Sequence, residues 1–254
     1  VWMQSGDCEM SQIHVEQIGL WHSPDFFALE MPFLFSSHDH ATRVLEGEIG
    51  KNLLSNLENT SPARGLAFTY SGGYRVMVSD NEINELADFR DLKFYTGTNP
   101  IGMDTIEVIG GQPDPHAIDH FWHSVRNEGD KHDAVDTTLP RILATGDKTN
   151  KRYITDTKHS MFLTSIIVSE KWWASLSDEV KAVLAQSAVD AARLERKWSV
   201  DDANEVIHDA VKHGLHYKEL DAGEMAKFRS LTDPLYEKYE SMFMPGLVDG
   251  IIRS

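Results

Sequence analysis

Phe68-Thr69-Tyr70-Ser71-Gly72-Gly73-Tyr74-Arg75 is the stretch on which the reading of this chain turns. Leu66 to Tyr70 reads as a short apolar strand, Ser71-Gly72-Gly73 breaks it, and Tyr74 to Val78 resumes extended structure. A guanidinium therefore stands where one strand has just ended, between tyrosines. In open α/β sheets, ligands bind beyond the carboxyl ends of strands. An arginine placed there can fork onto a carboxylate with two charge-assisted hydrogen bonds. Tyrosine hydroxyls add donors and their rings add apolar walls. A surface arginine beside a glycine turn fits the same residues equally well.

Outward from this stretch, strand-like and helix-like segments alternate, which favours α/β architecture with largely parallel sheets. Ile13 to Ile18 reads as a strand and the turn after it. Ala41 to Leu57 reads as one helix, with Val44, Leu45, Ile49, Leu53 and Leu54 near helical spacing. Leu92 to Tyr95 is a strand, and Gly97 to Pro100 turns into a helix that reaches Ile109. Pro115 to Glu128 reads as a helix, and Met161 to Val168 as a buried β run. The longest element starts at Ser177, a natural cap followed by Asp178 and Glu179 at the positive helix end. Apolar residues from Val180 to Val211 keep helical spacing until Gly214, which predicts a helix of roughly 35 residues, about 50 Å long. Such a helix runs across two lobes or mediates assembly. Asp221 and Glu224 form a capping-box pattern for the next helix, and Thr232 to Met242 reads as one more.

The chain has 254 residues, enough for one large domain or two modest ones. With 41% hydrophobic and 25% charged residues it is ordinary globular material. A net charge of −16 repels phosphate backbones and anionic lipid, which argues against nucleic-acid and membrane-surface roles. Cys8 is the only cysteine, so no intrachain disulfide and no thiolate metal cluster can form. No run approaches the roughly 20 apolar residues that span a bilayer. The sequence starts at Val1 with no signal peptide in view.

Twelve histidines raise the question of a metal. His38-Asp39-His40 falls at a helix start, where Ser36, Ser37 and Asp39 are caps, and i, i+2 residues do not share a helix face. His116, His120 and His123 share one face of the 115–128 segment, the better spacing for a metal-dependent hydrolase. No zincin-type glutamate accompanies them, and a solvated helix face has the same pattern. There is no nucleophile elbow, phosphate-binding loop or dinucleotide fingerprint. Asp133 and Asp136 are paired carboxylates with no acid–base partner identifiable in the sequence.

A resemblance covers nearly the whole chain. Gln4-Ser5-Gly6 with Glu9-Met10 is followed by Met31-Pro32-Phe33-Leu34-Phe35 and a helix from Asp39 through Gly50 to Leu54. Gly73-Tyr74-Arg75 comes next, then Leu86-Ala-Asp-Phe-Arg-Asp-Leu-Lys-Phe-Tyr95. Gly129 with Asp133-Ala134-Val135-Asp136-Thr137-Thr138-Leu139 follows, and then Trp172, Trp173 and Leu176 ahead of the long helix. In order and spacing these segments resemble the substrate-binding proteins of tripartite ATP-independent periplasmic (TRAP) transporters, often labelled dicarboxylate-binding.

The resemblance implies a two-lobed α/β clamshell of the periplasmic-binding-protein type, with mixed sheets and a long helix crossing between the lobes. Lobe one would take residues 1–72 and 163–200, and lobe two 73–162 and 201–254. It further implies an extracytoplasmic, periplasmic protein that captures a small organic acid for membrane permease subunits. Such a protein has no catalytic residues, cofactor or nucleic-acid partner. A sensing module built on the same clamshell is an alternative to transport. The family opens with a strand–helix–strand unit that these residues do not contain. Its usual carboxylate-clamping arginine falls at Tyr95, which cannot replace the charge of a guanidinium fork. Arg75 is then the expected anchor, with Arg90 and Arg141 as lesser substitutes. Tyr70, Tyr95, Asn99 and Thr137 would add hydrogen bonds, and Trp21 and Phe162 apolar walls. The exchange at Tyr95 shifts the expected ligand from a plain dicarboxylate toward an aromatic, hydroxylated or zwitterionic acid.

Overall fold

A computed structural model describes residues 7–115, 132–144 and 151–254. In chain order the strands are β1 (Met10–His14), β2 (Ala63–Thr69), β3 (Arg75–Ser79), β4 (Lys93–Thr96), β5 (Gln112–Pro115), β6 (Ala134–Thr138), β7 (Tyr153–Asp156), β8 (Thr164–Ser169) and β9 (His216–Glu219). The helices are α1 (Val15–Trp21), α2 (His38–Glu46), α3 (Glu48–Thr60), α4 (Pro100–Val108), α5 (Leu139–Leu143), α6 (Glu170–Ser175), α7 (Asp178–Asp201), α8 (Ala203–Lys212), α9 (Ala222–Tyr239) and α10 (Leu247–Ile252).

Among the described residues two sheets form, one per lobe. The first has the order β1-β8-β2 and is antiparallel throughout. The second has the order β5-β4-β6-β3-β7-β9; β3 is antiparallel to both neighbours, and the other pairs are parallel. The expectation of largely parallel sheets from simple alternation is therefore corrected to mixed pairing. Strands far apart in sequence return beside one another, as β1 and β8 do, without a helical crossover between neighbours.

One face of the first sheet carries Phe26, Leu53, Leu57, Phe68 and Leu163, all at most 1% exposed. Each such side chain contributes on the order of 1.5–3 kcal/mol through removal from water. The other face meets α7, where Ala188 and Ala192 pack on Ala67 and the small side chains let helix and strand approach closely. In the second sheet, period-two alternation separates two faces. Val76, Val78, Tyr95 and Val135 pack toward α5 and α8, while Met77, Phe94 and Ala134 pack with Phe89, Ile106 and Phe228. Helix α9 reaches both lobes, Phe228 in the second core and Leu235 and Tyr239 in the first. Helix α10 seats Leu247 and Ile251 in the first core, and His40 Nε2 lies 2.7 Å from the Ile251 carbonyl.

Three elements differ from the periodicity. The 41–57 helix is two helices joined at Gly47, whose ψ of −171° is extended. A Cβ there would sit 2.5 Å from the Arg43 carbonyl oxygen. The long helix is also two, bent at Asp202 (φ −81°, ψ −7°). Asp201 and Asp202 stand at the negative end of α7, where acidic residues are poorly tolerated. In contrast, α9 runs unbroken through Pro234, so the separate 232–242 helix is its second half. Pro115 ends β5 instead of opening a helix, and the rest of that expected helix lies outside the described residues.

The chain crosses between lobes at Ser71–Tyr74 and again at 157–163. The crossings pair through a Tyr74–Met161 bridge, Phe162 N–H to the Gly73 carbonyl at 2.9 Å, and Arg75 N–H to the Ser160 carbonyl at 2.9 Å. Gly72 and Gly73 have φ of +105° and +74°, left-handed values that glycine adopts without strain. A Cβ on Gly72 would lie 2.8 Å from Thr138 Oγ1. The glycine turn thus presses against β6 and delivers Arg75 to the start of β3.

Candidate functional site

Because Arg75 pairs with Thr138 across β3 and β6, it shares a sheet face with Asp136. Its Nη1 lies 3.4 Å from Asp136 Oδ2 and its Nη2 lies 3.7 Å from Glu30 Oε2. Both contacts are long beside the 2.7–2.9 Å usual for charge-assisted pairs. The guanidinium carbon is 4.8 Å from the centroid of Phe162, and that of Arg141 is 5.0 Å from the same ring. His14 stacks on Phe162 at 4.0 Å. Its Nδ1 is 3.3 Å from Glu16 and its Nε2 is 3.4 Å from Glu30. His159 Nε2 stands 3.7 Å from Asp136 Oδ1.

The elements that bring these groups together are remote in sequence. His14 ends β1, Glu16 opens α1, and Glu30 closes the short 3-10 helix Pro24–Glu30. Asn99 caps α4 by accepting from the Ile101 N–H, while its Nδ2 donates to Glu30 Oε2 at 3.3 Å. Glu16 accepts from the Thr98 N–H at 2.9 Å. Between them lies a nearly closed crevice of about 20 Å³, lined among others by Glu16, Glu30, Arg75, Thr96, Asn99 and Asp136. That is room for a single water-sized group. Three buried oxygens of these lining residues, Glu30 Oε1, Asp136 Oδ1 and Thr96 Oγ1, make no hydrogen bond.

Burial and neighbouring charge push these groups apart. Burial raises the pKa of Glu30; the nearby charges of His14 and Arg75 oppose this without winning, and those of Glu16 and Asp136 add to it. At Asp136, burial also acts upward, but Arg75 and His159 outweigh it and the carboxyl titrates below its ordinary value. Glu16 behaves similarly: burial raises it, and His14, Arg75 and the Thr98 N–H bring it down. Burial, reinforced by the charge of Arg75, lowers Arg141 to about 10.

Of the residues proposed from sequence, Arg75 and Asn99 line the crevice and Phe162 lies beneath two guanidiniums. Arg141, ranked behind Arg75, is brought to the same ring. Thr137 pairs with Val76, so it lies on the opposite sheet face from Arg75, with its Oγ1 buried and not hydrogen-bonded. Tyr95 is 4% exposed in that face's core, edge-on to His132. Two others stand apart from the crevice. Tyr70 is held in the first-lobe core by Thr42 Oγ1 and the His38 carbonyl, away from the crevice. Trp21 is 63% exposed at the end of α1 and is not among the residues lining the crevice. Arg90 is exposed beyond the 3-10 helix Leu86–Phe89. Sequence reasoning does not reach His14, Glu16, Glu30, Thr96 or His159, and reaches Asp136 only as one of a carboxylate pair and as part of a family-like segment. The available signal was Glu30, an acid inside the apolar run from Phe26 to Phe35.

His116, His120 and His123 lie outside the described residues. Among the described residues no three His, Cys, Asp or Glu side chains group to hold a metal ion. His38 turns its ring toward Tyr74 while His40 reaches Ile251, so the two diverge. No helix among the described residues is long and apolar enough to cross a membrane.

Comparison with known proteins finds relatives among bacterial solute-binding proteins. A solute-binding protein of Roseobacter denitrificans is 24% identical over 247 residues, which is 95% of this chain and 74% of the relative. A TRAP periplasmic solute-binding protein of Polaromonas, solved with D-erythronate, superimposes with a TM-score of 0.89 at 26% identity, covering 99% of this chain and 81% of that one. The sugar-acid-binding protein of Advenella mimigardefordensis, solved with galactonate, shares the fold with a TM-score of 0.91 at 23% identity, over 99% of this chain and 80% of that one. The model of the DctP family matches residues 2–242, and the chain belongs to that family, bacterial extracellular solute-binding protein family 7.

Proposed function

We propose that this protein captures a small organic acid in the crevice between its lobes and presents it, without chemical change, to the permease subunits of a TRAP transporter from the periplasmic side. The observation that carries this reading is Arg75: a buried guanidinium at the lobe crossing whose nearest carboxylates stand off at 3.4 and 3.7 Å. An incoming carboxylate can approach such a group more closely than its resident partners do. Arg141, over the same phenyl ring, adds a second cation, and Asn99 and Phe162 contribute polar and apolar contact. The D-erythronate and galactonate bound by structural relatives set the expected ligand size.

Of the described residues, lobe one takes 7–72 and 163–200 together with α10, which packs in its core, and lobe two takes 73–115, 132–144, 151–162 and the part of 201–254 that precedes α9. The crevice of about 20 Å³ is too small for such an acid, so entry requires the lobes to part at Ser71–Tyr74, at 157–163 and at Asp202. Closure then excludes water and strengthens the ion pair. Native mass spectrometry of the protein as purified tests the reading: a co-purified organic acid supports it, and stoichiometric metal without any acid contradicts it.

A further inference from the structure

The crevice beside Arg75 has an excess of acceptors. Glu16, Glu30 and Asp136 surround one guanidinium; Arg141 lies over the Phe162 ring, and the imidazoles of His14 and His159 stand 3.3 to 3.7 Å from the same acids. Glu30 is 5% exposed, and its Oε1 accepts no hydrogen bond, His14 Nε2 standing off at 3.4 Å; Asp136 Oδ1, 3.7 Å from His159 Nε2, and Thr96 Oγ1 are likewise buried without one. Arg75 meanwhile makes only long contacts to those same acids. Cation and anions are thus both under-satisfied, and they are under-satisfied by each other. A carboxylate can relieve the guanidinium but offers nothing to the orphaned oxygens, because it only accepts. An ammonium offers three donors and a positive charge, and it is about the size of a water molecule, which is what about 20 Å³ admits.

We propose that the ligand is a zwitterionic acid, its carboxylate on Arg75 and its ammonium in the crevice against Glu30 and Asp136. This rests on the reading of the protein as an organic-acid binder and names the class of acid. Net charge favours it too. With His14 and His159 neutral, the three acids outnumber Arg75 and Arg141, so a ligand of zero net charge with separated poles matches the site better than a dianion does. Glu30 reinforces the point. Its carboxyl is held up by burial, against the opposing charges of His14 and Arg75 and with the help of Glu16 and Asp136, and an ammonium beside it favours the ionised form. Binding therefore releases a proton at any pH where the unliganded carboxyl is still protonated.

The test is calorimetry on the full chain with matched pairs: free L-amino acids, each set against the 2-hydroxy acid of the same skeleton, with a C4-dicarboxylate and a sugar acid alongside. In at least one pair the amino acid is expected to bind ten-fold or more tightly than its hydroxy partner. The apparent enthalpy of that binding should vary between buffers of different ionisation enthalpy in the sense of proton release. Glu30→Gln should cut amino-acid affinity ten-fold or more and abolish the proton release, while changing hydroxy-acid affinity less. If Glu30→Gln does not fold, the buffer series on the unaltered protein decides. A hydroxy acid, dicarboxylate or sugar acid that binds as tightly as every amino acid tried, or tighter, overturns the inference and leaves the organic-acid reading standing. If no acid of any class binds, both fall together.

Discussion

The guanidinium of Arg75 lies 4.8 Å from the centre of the Phe162 ring, on which the imidazole of His14 also stacks at 4.0 Å. The phenyl ring supports the cation without offering it a hydrogen bond, so the N–H groups stay directed at the crevice. Replacing Phe162 by Leu keeps apolar volume but removes the ring face. Acid binding is expected to weaken by about 0.5–2 kcal/mol, measured by calorimetry, and the melting temperature of the unliganded protein to fall by a few degrees because the smaller side chain leaves buried volume unfilled.

Stability should depend on pH in opposite senses on two limbs. Burial holds the pKa of Glu30 above its ordinary value of 4.5. Its contribution to stability is therefore complete below pH 4.5 and is lost as pH rises through the raised folded value. Asp136 is held below its ordinary 3.8 despite burial, through Arg75 and His159. Its contribution is complete above 3.8 and is lost as pH falls through the lowered value. Thermal melts of the unliganded protein across this range should show a maximum between the limbs. Glu30→Gln should flatten the high-pH limb and Asp136→Asn the low-pH limb; unchanged profiles would remove these carboxyls from the linkage.

Glu46 fastens α7 to the first lobe. It accepts from Arg193 at 2.7 Å and from Arg196, whose Nη1 also donates to the Phe68 carbonyl. Arg196 is 5% exposed, so Glu46→Ala leaves a buried guanidinium without its counter-charge. The expected loss is about 1–3 kcal/mol, or several degrees in Tm at about 2–4 °C per kcal/mol, read by calorimetric melting.

Gly50 faces the preceding helix so closely that a Cβ would lie 2.1 Å from the Leu45 carbonyl oxygen. The obstacle is backbone, which cannot swing aside. Gly50→Ala should destabilise the protein by about 1–3 kcal/mol through forced separation of α2 and α3, visible in chemical denaturation as a lower midpoint at constant slope.

Much of the fold was legible because its signals are local. The glycine turn at 71–73, the strand after it and the Ser177 cap all stand where periodicity and turn chemistry place them. The bend at Asp202 was not, because apolar spacing continues from α7 into α8 while the two helices serve different cores. Antiparallel pairing of β1 with β8 was equally hidden, since register between strands some 150 positions apart leaves no mark in either one. At the site, Arg75 could be picked out from its turn. Its acidic neighbours could not, since Glu16, Glu30 and Asp136 arrive from separate elements and share a crevice only after both lobes have formed. Tyr70 misled because two tyrosines flank the turn, and the strand pleat sends its ring into the core.

Calorimetric titration of the unaltered protein and of Arg75→Ala with the same acids, D-erythronate, galactonate and free L-amino acids, puts the anchor itself to the proof. At least one acid should bind the unaltered protein, and Arg75→Ala should weaken that binding by about 2–5 kcal/mol, with Arg75→Lys between the two. An Arg75→Ala protein that is folded and binds the same acid with undiminished affinity would contradict the account.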